Sequence, residues 1–504
     1  MAHAIAPDYG QQFLFPPAIE DWVGADHPAR FLREFVDQLD LPGLGFSMSP
    51  GEEGRPGYAP SLMLKIWLYG YFHRIRSTRK LEVACREHIS LIWLSGMIAP
   101  DHNSLWRFWR ENQKALRGVF KQSVEVALGV GCVGLAIQAL DGTKIEAAAQ
   151  SHGGWSKQYM EKVLAALDAS LDQTELSLLQ EQANGLRGEY RLPAGIGERK
   201  ALREQIQRGL QQLAADGRNH YQPVEPEARR MKVRQNNRYA YNAQAVADSM
   251  NGVITACEVT REETDNGQLA PMIEQSRQNL GPAALQTLTL SDTGYGGGAD
   301  LQEAQEKGML VLVAPAEGKP VQGNPYASQY FIYEPGERTV TCPRGERLDY
   351  EGHTVKRGMP VERYRCHCRD CPVRAKCTRD PKGRQIQIWP HTAIVQAMRK
   401  RLRSPEGRKL YALRRQIIER TFAGVKQHDG FRRWTLWGLE AVRTQWSIIC
   451  TTVNLRILYT RWLGSEKKPS PPRFMAMRLK VAQWTEKAFQ FGSRLIPMVL
   501  RCRE

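Results

Sequence analysis

The 504-residue sequence has no apolar run close to the ~20 residues that a membrane-spanning helix requires, which excludes a helical membrane protein and a membrane partner. The nearest stretch, Val126 to Ile137, is interrupted by Gly129, Gly131 and Gly134 and stops short of Asp141; it reads as a helix end, a turn and the start of a buried strand. Cysteine is sparse outside one cluster. Cys85, Cys132, Cys257, Cys450 and Cys502 are scattered in apolar company and read as reduced packing residues, which argues against a disulfide framework. A basic leader segment is missing, with Asp8 soon after Met1, so a soluble intracellular protein is expected. Acidic residues are scarce at the other end. From Pro381 to Glu504, 26 Lys and Arg face 7 Asp and Glu, a net +19 against +17 for the whole chain, so the preceding residues are nearly neutral.

A basic excess of this size favours a polyanionic partner or an anionic surface, with a solvated basic face as the plain alternative. Here it alternates with aromatics, as in Phe431-Arg432-Arg433-Trp434 and Trp437, a combination suited to phosphate contact and base stacking. The apolar fraction of 42% is enough for a substantial core, and the length predicts two to four domains.

Residues 1–130 read as short helices joined by basic turns, a pattern shared by helix-turn-helix proteins and ordinary helical bundles. The turn carrying Arg74, Arg76, Arg79 and Lys80 and the helix carrying Arg107 and Arg110 supply candidate phosphate ligands, whereas Trp106 and Trp109 read as core. Val133 to Leu140 is predicted as a strand ending at Asp141-Gly142-Thr143-Lys144. Residues 155–184 and 198–215 form helices with a leucine-rich face, either a helical hairpin or a short coiled coil between protomers. Strands then return as a hairpin around Asn251-Gly252, a third strand at Leu285–Leu290 ending at Ser291-Asp292, and a fourth at Met309–Ala314, with helices between: a mixed α/β core. Residues 317–390 read as loop-rich. A basic helix is predicted over Leu402–Gln427 and an apolar one over Leu439–Leu463. Beyond Pro469 only Trp484–Val499 shows helical potential.

Three acids stand out. Asp141 and Asp292 terminate apolar strands, where ligands bind in α/β folds. Glu419 is the one acid in the basic stretch Lys409–Lys426. Each alone also reads as an ordinary turn Asp or an Arg-paired Glu; carboxylates from separate elements are what divalent cations and two-metal phosphoryl transfer require. Separately, Cys368-x2-Cys371-x5-Cys377 with Cys342 upstream offers the four thiolates of a closed structural Zn²⁺ site, with Cys366 and His367 as competing donors and a reduced cysteine-rich loop as the plain alternative.

The run Arg415-Gln416-Ile417-Ile418-Glu419, with Lys426 and Gly430-Phe431-Arg432-Arg433 after it, resembles the third catalytic block of DDE transposases, keeping the Arg-x3-Glu-x6-Lys spacing. Tyr411 lies one residue further from Glu419 than in the better-known signature, and Gly296-Gly297-Gly298 replaces the usual polar helix start after the second Asp. Ala139-Leu140-Asp141-Gly142-Thr143-Lys144, Tyr241-Asn242-Ala243-Gln244, Asp292-Thr293-Gly294-Tyr295, Gly54-Arg55-Pro56, Ser77-Thr78-Arg79-Lys80-Leu81-Glu82 and Pro100-Asp101-His102 resemble the branch named after insertion sequence 1182, related to the insertion-sequence-4/5 group, in order over about residues 10–462. The resemblance implies a ribonuclease-H-like mixed-sheet catalytic core at 131–316 and 391–463 with a helical insertion at about 153–217. It also implies an N-terminal helical DNA-binding domain at 1–130, a small cysteine-rich insertion at 317–390 and a basic tail at 464–504. It implies catalysis by Asp141, Asp292 and Glu419 holding two Mg²⁺ or Mn²⁺ ions, with Lys426 and Arg415 beside them, and DNA contacts that include Arg432 and Arg433. The expected partners are terminal inverted repeats and target DNA, bound by a homodimer in the bacterial cytoplasm at the nucleoid. A hydrolytic nuclease with the same core and a domesticated, non-catalytic DNA-binding protein are the rival expectations.

Overall fold

The computed structural model describes residues 18–47, 57–150, 153–171, 192–193, 195–315 and 324–464, which form two compact units. The Gly54-Arg55-Pro56 block, Cys502, the Trp484–Val499 segment, most of the basic tail and the tip of the helical insertion lie outside them. No helix among the described residues is long and apolar enough to cross a membrane.

The first unit comprises described residues 18–132 and 447–464. Its helices start where side-chain chemistry says they should. Pro60 opens Pro60–Phe72, the Ser77 hydroxyl caps Thr78–Glu87, and the Asp101 carboxylate accepts the Asn103 and Ser104 N–H groups at 2.9 Å to start His102–Glu111. Trp67 and Trp109 meet at 4.6 Å in the core, as the apolar stripe predicts for Trp109, while Trp106 is exposed. Glu82 reaches across to accept from the His102 N–H at 3.0 Å, which ties two of the sequence motifs together.

The second unit, residues 133–446, holds a six-stranded mixed sheet: β1 (Ile137–Glu146), β2 (Arg229–Val233), β3 (Asn236–Asp248), β4 (Ile254–Thr260), β5 (Leu288–Ser291) and β6 (Val311–Val313). The order is β2-β3-β1-β5-β6, with β4 also on β3; β1, β5 and β6 run parallel and the remaining pairs antiparallel. This mixed sheet fits the core of a DDE, ribonuclease-H-like fold. The β3–β4 turn is at Asn251-Gly252, where Gly252 takes φ +78°, as the hairpin signal implies.

Three expectations are corrected. β1 does not stop at Asp141 but continues to Glu146, because β3 pairs with it residue by residue from Gln138 to Glu146. The basic helix expected over Leu402–Gln427 starts later, as Pro405–Ala423 continued by the turn Gly424–His428, because the Ser404 hydroxyl caps it and Pro405 cannot extend the preceding helix, Thr392–Arg403, to which Leu402 and Arg403 belong. Residues 317–390 are not simply loops: Ile332–Glu334, Thr339–Thr341, Arg347–Lys356, Met359–Arg365 and Gln385–Ile388 make a five-stranded antiparallel sheet. In the helical insertion, Lys157–Leu171 packs on Ile196–Asp216 through Met160, Val163, Leu167, Ile206 and Leu213.

Trp446 anchors the core of the second unit. It is fully buried, its indole N–H donates to the Gln244 carbonyl at 2.8 Å, and its ring lies against Phe422 and Trp434. Truncation leaves a cavity and removes a buried hydrogen bond, so Trp446→Ala is expected to cost roughly 3–5 kcal/mol, read as a lowered urea midpoint.

Candidate active site

Asp141 and Asp292 come together through strand register. On the β5 side of β1 the parallel ladder ends at Leu140 opposite Ser291, so Asp141 and Asp292 are the next residues on neighbouring strands. The Asp141 side chain is 21% exposed. Burial, and then the charge of Asp292, push its carboxyl up to about 6. The Gly142 N–H at 2.8 Å and the Arg414 guanidinium at 3.3 Å oppose that rise. Asp292 caps a short 3₁₀ turn by accepting the Gly294 N–H at 2.9 Å.

The glycines in these motifs are matters of space. A Cβ on Gly298 would lie 2.4 Å from the His391 Cβ, and one on Gly297 would lie 2.7 Å from an Asp300 carboxylate oxygen. The glycine run after the second Asp therefore lets the following helix approach closely.

The helix Pro405–Ala423 packs across β1 and aims Arg414, not Arg415, at Asp141. Tyr411, one turn earlier, lies close enough to feel Asp292 and Asp141, with burial raising its hydroxyl. The helix runs on into a π-helical turn, Gly424–His428, that places the Lys426 ammonium on the Thr143 hydroxyl, two residues from Asp141. Burial lowers the Lys426 pKa. Arg415 and Glu419 occupy another side of the helix: they pair with each other at 3.8 Å, and the Glu419 side chain is 61% exposed. Among the described residues, no three His, Cys, Asp or Glu side chains stand together in a way that could hold a metal ion. Asp141, Asp292, Arg414 and Lys426 are thus gathered, and Glu419 is not gathered with them.

Sequence reading singled out neither Arg414 nor Asp265. Arg414 was legible from periodicity, since it sits four residues before the fully buried Ile418 and three after Tyr411. Asp265, in the turn after β4, carried no motif signal; Asn242 and Gln244 were visible only as part of a resembling block.

The cysteines surround a separate small core of Phe331, Val340, Leu348, Tyr364, Ile386 and Ile388. Cys366 is a buried member of that core, and Cys342, Cys368 and Cys377 pack against it. The Arg344 N–H points at the Cys342 sulfur at 3.3 Å in a tight turn whose Gly345 takes φ +89°. Of the basic candidates, Arg74, Arg79, Lys80, Arg107 and Arg110 are exposed in the first unit, with Arg76 half-buried. Arg432 and Arg433 are exposed in the second unit, where Arg433 also donates to the Ala147 and Ala148 carbonyls at 3.0 and 2.8 Å.

The raised Asp141 pKa has a signed consequence. Between its ordinary 3.8 and about 6 the folded, metal-free chain keeps a proton that the unfolded chain has released, so this contribution to stability is present at low pH and lost as pH rises through about 6. Asp292→Asn removes the repelling charge. Thermal melts in chelator from pH 4 to 8 should show a smaller decline, and carboxyl NMR an Asp141 midpoint that falls but stays raised, because burial persists.

Comparison with known proteins supplies an independent line. A family model described as Transposase DDE domain matches residues 341–459, which take in the cysteines, Glu419 and Lys426. One described as Transposase domain (DUF772) matches residues 17–111, which take in the basic turn and Arg107 and Arg110. No curated protein matches the chain. A DDE domain implies a DNA-cleaving, strand-transferring enzyme that works with a divalent metal. Together the two matches support an insertion-sequence transposase.

Proposed function

We propose that the chain, as a homodimer, binds the terminal inverted repeats of a mobile DNA element of the branch named after insertion sequence 1182, and cuts and joins DNA at the element's ends. The observation that carries this reading is the Asp141–Asp292 pair on adjacent parallel strands, with Lys426 and Arg414 alongside.

Two half-buried carboxylates that repel each other are a hard-oxygen donor set suited to Mg²⁺ or Mn²⁺. Two such ions, when bound, would activate water or a DNA 3′-hydroxyl and neutralise the leaving oxygen. The remaining roles belong to the chain. Arg414 orients Asp141. Lys426, held at Thr143 in a poorly hydrated position, meets the phosphate beside the scissile bond. Glu419 is assigned the third carboxylate by resemblance, and taking that role means leaving its pair with Arg415. Arg74, Arg76, Arg79, Lys80, Arg107 and Arg110 contact repeat phosphates, and Arg432 and Arg433 contact DNA near the cleft. The setting is the bacterial cytoplasm, at the nucleoid when DNA is bound.

The test is a cleavage assay on labelled duplexes spanning the element's ends, with Mg²⁺ or Mn²⁺, and a strand-transfer assay with a pre-cut 3′-hydroxyl end. Asp141→Asn and Asp292→Asn should each lower both activities by at least ~100-fold while retaining DNA. Cutting without joining would assign a hydrolytic nuclease, and binding without metal-dependent cutting a DNA-binding protein.

For the cysteines we propose structural Zn²⁺ held by Cys342, Cys368, Cys371 and Cys377. The support is that Cys342, Cys368 and Cys377 pack against one small core, with Cys366 taken up by packing; Cys371 joins them on sequence spacing, and the four thiols would have to draw together to hold the ion, since among the described residues they do not form a metal-holding group. Elemental analysis should find one zinc per chain, and Cys368→Ser should release it and lower the melting temperature; a zinc-free, fully folded chain would overturn the assignment.

A further inference from the structure

Asp265 stands beside the β1 segment that follows Asp141 and the turn that follows Asp292. The pleat makes directly opposed residues share a face, so Gly142 with Gln244 and Lys144 with Asn242 lie on one side of the sheet and Asp141 with Thr143 on the other. Arg414 and Lys426 reach the second side. Asp265 occupies the first, where its Oδ1 accepts from Asn242 Nδ2 at 2.7 Å, Gln244 Nε2 at 2.8 Å and Lys144 Nζ at 3.3 Å. Its side chain is 15% exposed.

The two motif glycines fit around this carboxylate. A Cβ on Gly142 would stand 2.5 Å from both Asp265 Oδ1 and Gln244 Nε2, and one on Gly294 would stand 2.9 Å from Asp265 Oδ2 and 3.1 Å from Asp292 Oδ1. Neither glycine has a positive φ, so it is space rather than backbone freedom that suits each to its place. Asp265 thereby lies between the β1 segment that follows Asp141 and the turn that follows Asp292. A second feature is independent of the acids: Asn242 is fully buried, and its Oδ1 has no hydrogen-bond partner while lying 2.9 Å from the position a Gly142 Cβ would take. It leaves an acceptor facing the same gap.

We propose that Asp265 is a positioning residue of the active site, setting the separation and orientation of Asp141 and Asp292 from the opposite face of the sheet. This rests on the reading that those two acids bind the divalent cation. Asp265 itself, occupied by two amides and an ammonium, is not a ligand. Its three donors hold it in place, and the glycine backbones transmit its position to the two carboxylates.

The test is Mn²⁺ binding to the DNA-free full chain, followed by electron paramagnetic resonance of the free ion, with melting temperature recorded for every variant. Asp265→Asn should weaken binding by roughly tenfold or more with the melt unchanged, as expected when a partner that orients a metal ligand is lost. Asp248→Asn is the control for a structural loss: this buried carboxylate on β3 accepts backbone N–H groups of Gly134, Leu135 and Met250 and should leave Mn²⁺ binding alone. Should Asp265→Asn melt early, Mn²⁺ binding is read well below its melting temperature, on folded chain: weak binding there supports a positioning role, and wild-type binding shows Asp265 to be filler and overturns the proposal. Wild-type Mn²⁺ affinity in folded Asp265→Asn, with affinity lost in Asp141→Asn, overturns the positioning role alone. Absence of Mn²⁺ binding in the wild type, or its persistence in Asp141→Asn, overturns the catalytic reading and this proposal with it.

Discussion

Two like charges held side by side and half-buried are the constraint to which the second unit answers. The register of β1 on β5 imposes it, since pairing Leu140 with Ser291 leaves Asp141 and Asp292 as the next neighbours. An isolated pair of that kind either loses a charge or attracts a cation. Several nearby groups moderate the repulsion: backbone N–H groups of Gly142 and Gly294, the Arg414 guanidinium and the Lys426 ammonium; Asp265, on the other face of the sheet, adds to it. The same constraint accounts for Glu419. Without a cation a further carboxylate at the pair would add to the repulsion, whereas on the outer side of its helix Glu419 is exposed and paired with Arg415.

Legibility followed the length scale of each signal. The β3–β4 hairpin, the helix Leu439–Leu463 and the core role of Trp109 rest on local patterns: a turn dipeptide, a long apolar stripe and an aromatic on the inner face. The extent of β1 was not local. The apolar run ends at Leu140, and Asp141-Gly142-Thr143-Lys144 reads as a turn; only pairing with β3 keeps those residues extended. The basic helix was read through Ser404-Pro405 because charge continuity hid a strong stop signal.

The site divided in the same way. Asp141, Asp292 and Lys426 stood in spelled-out motifs, and the structure brings them near one another. Asp265 lies in an acidic turn, Glu262-Glu263-Thr264-Asp265, where nothing distinguishes it from a solvated loop acid until Asn242, Gln244 and Lys144 are seen to converge on it. The cysteine-rich sheet was hidden for another reason. Its longest strand, Arg347–Lys356, is polar on both faces apart from Leu348, Tyr350 and Val355, so it lacks the alternation that marks a half-buried strand, and its core is a handful of residues.

The turn Gly424–His428 winds wider than the helix it continues: the Asp429 N–H reaches back five residues to the Gly424 carbonyl at 2.9 Å. Such a turn holds one residue more than an α-helix would over the same rise. Losing Gly424 or Val425 would let the helix close to its normal winding and swing Lys426 round by about 100°, off Thr143 and away from the acids. Length here is therefore as constrained as identity. The segment tolerates exchange of side chains that keep the fold, but its residue count is tied to the position of one ammonium group.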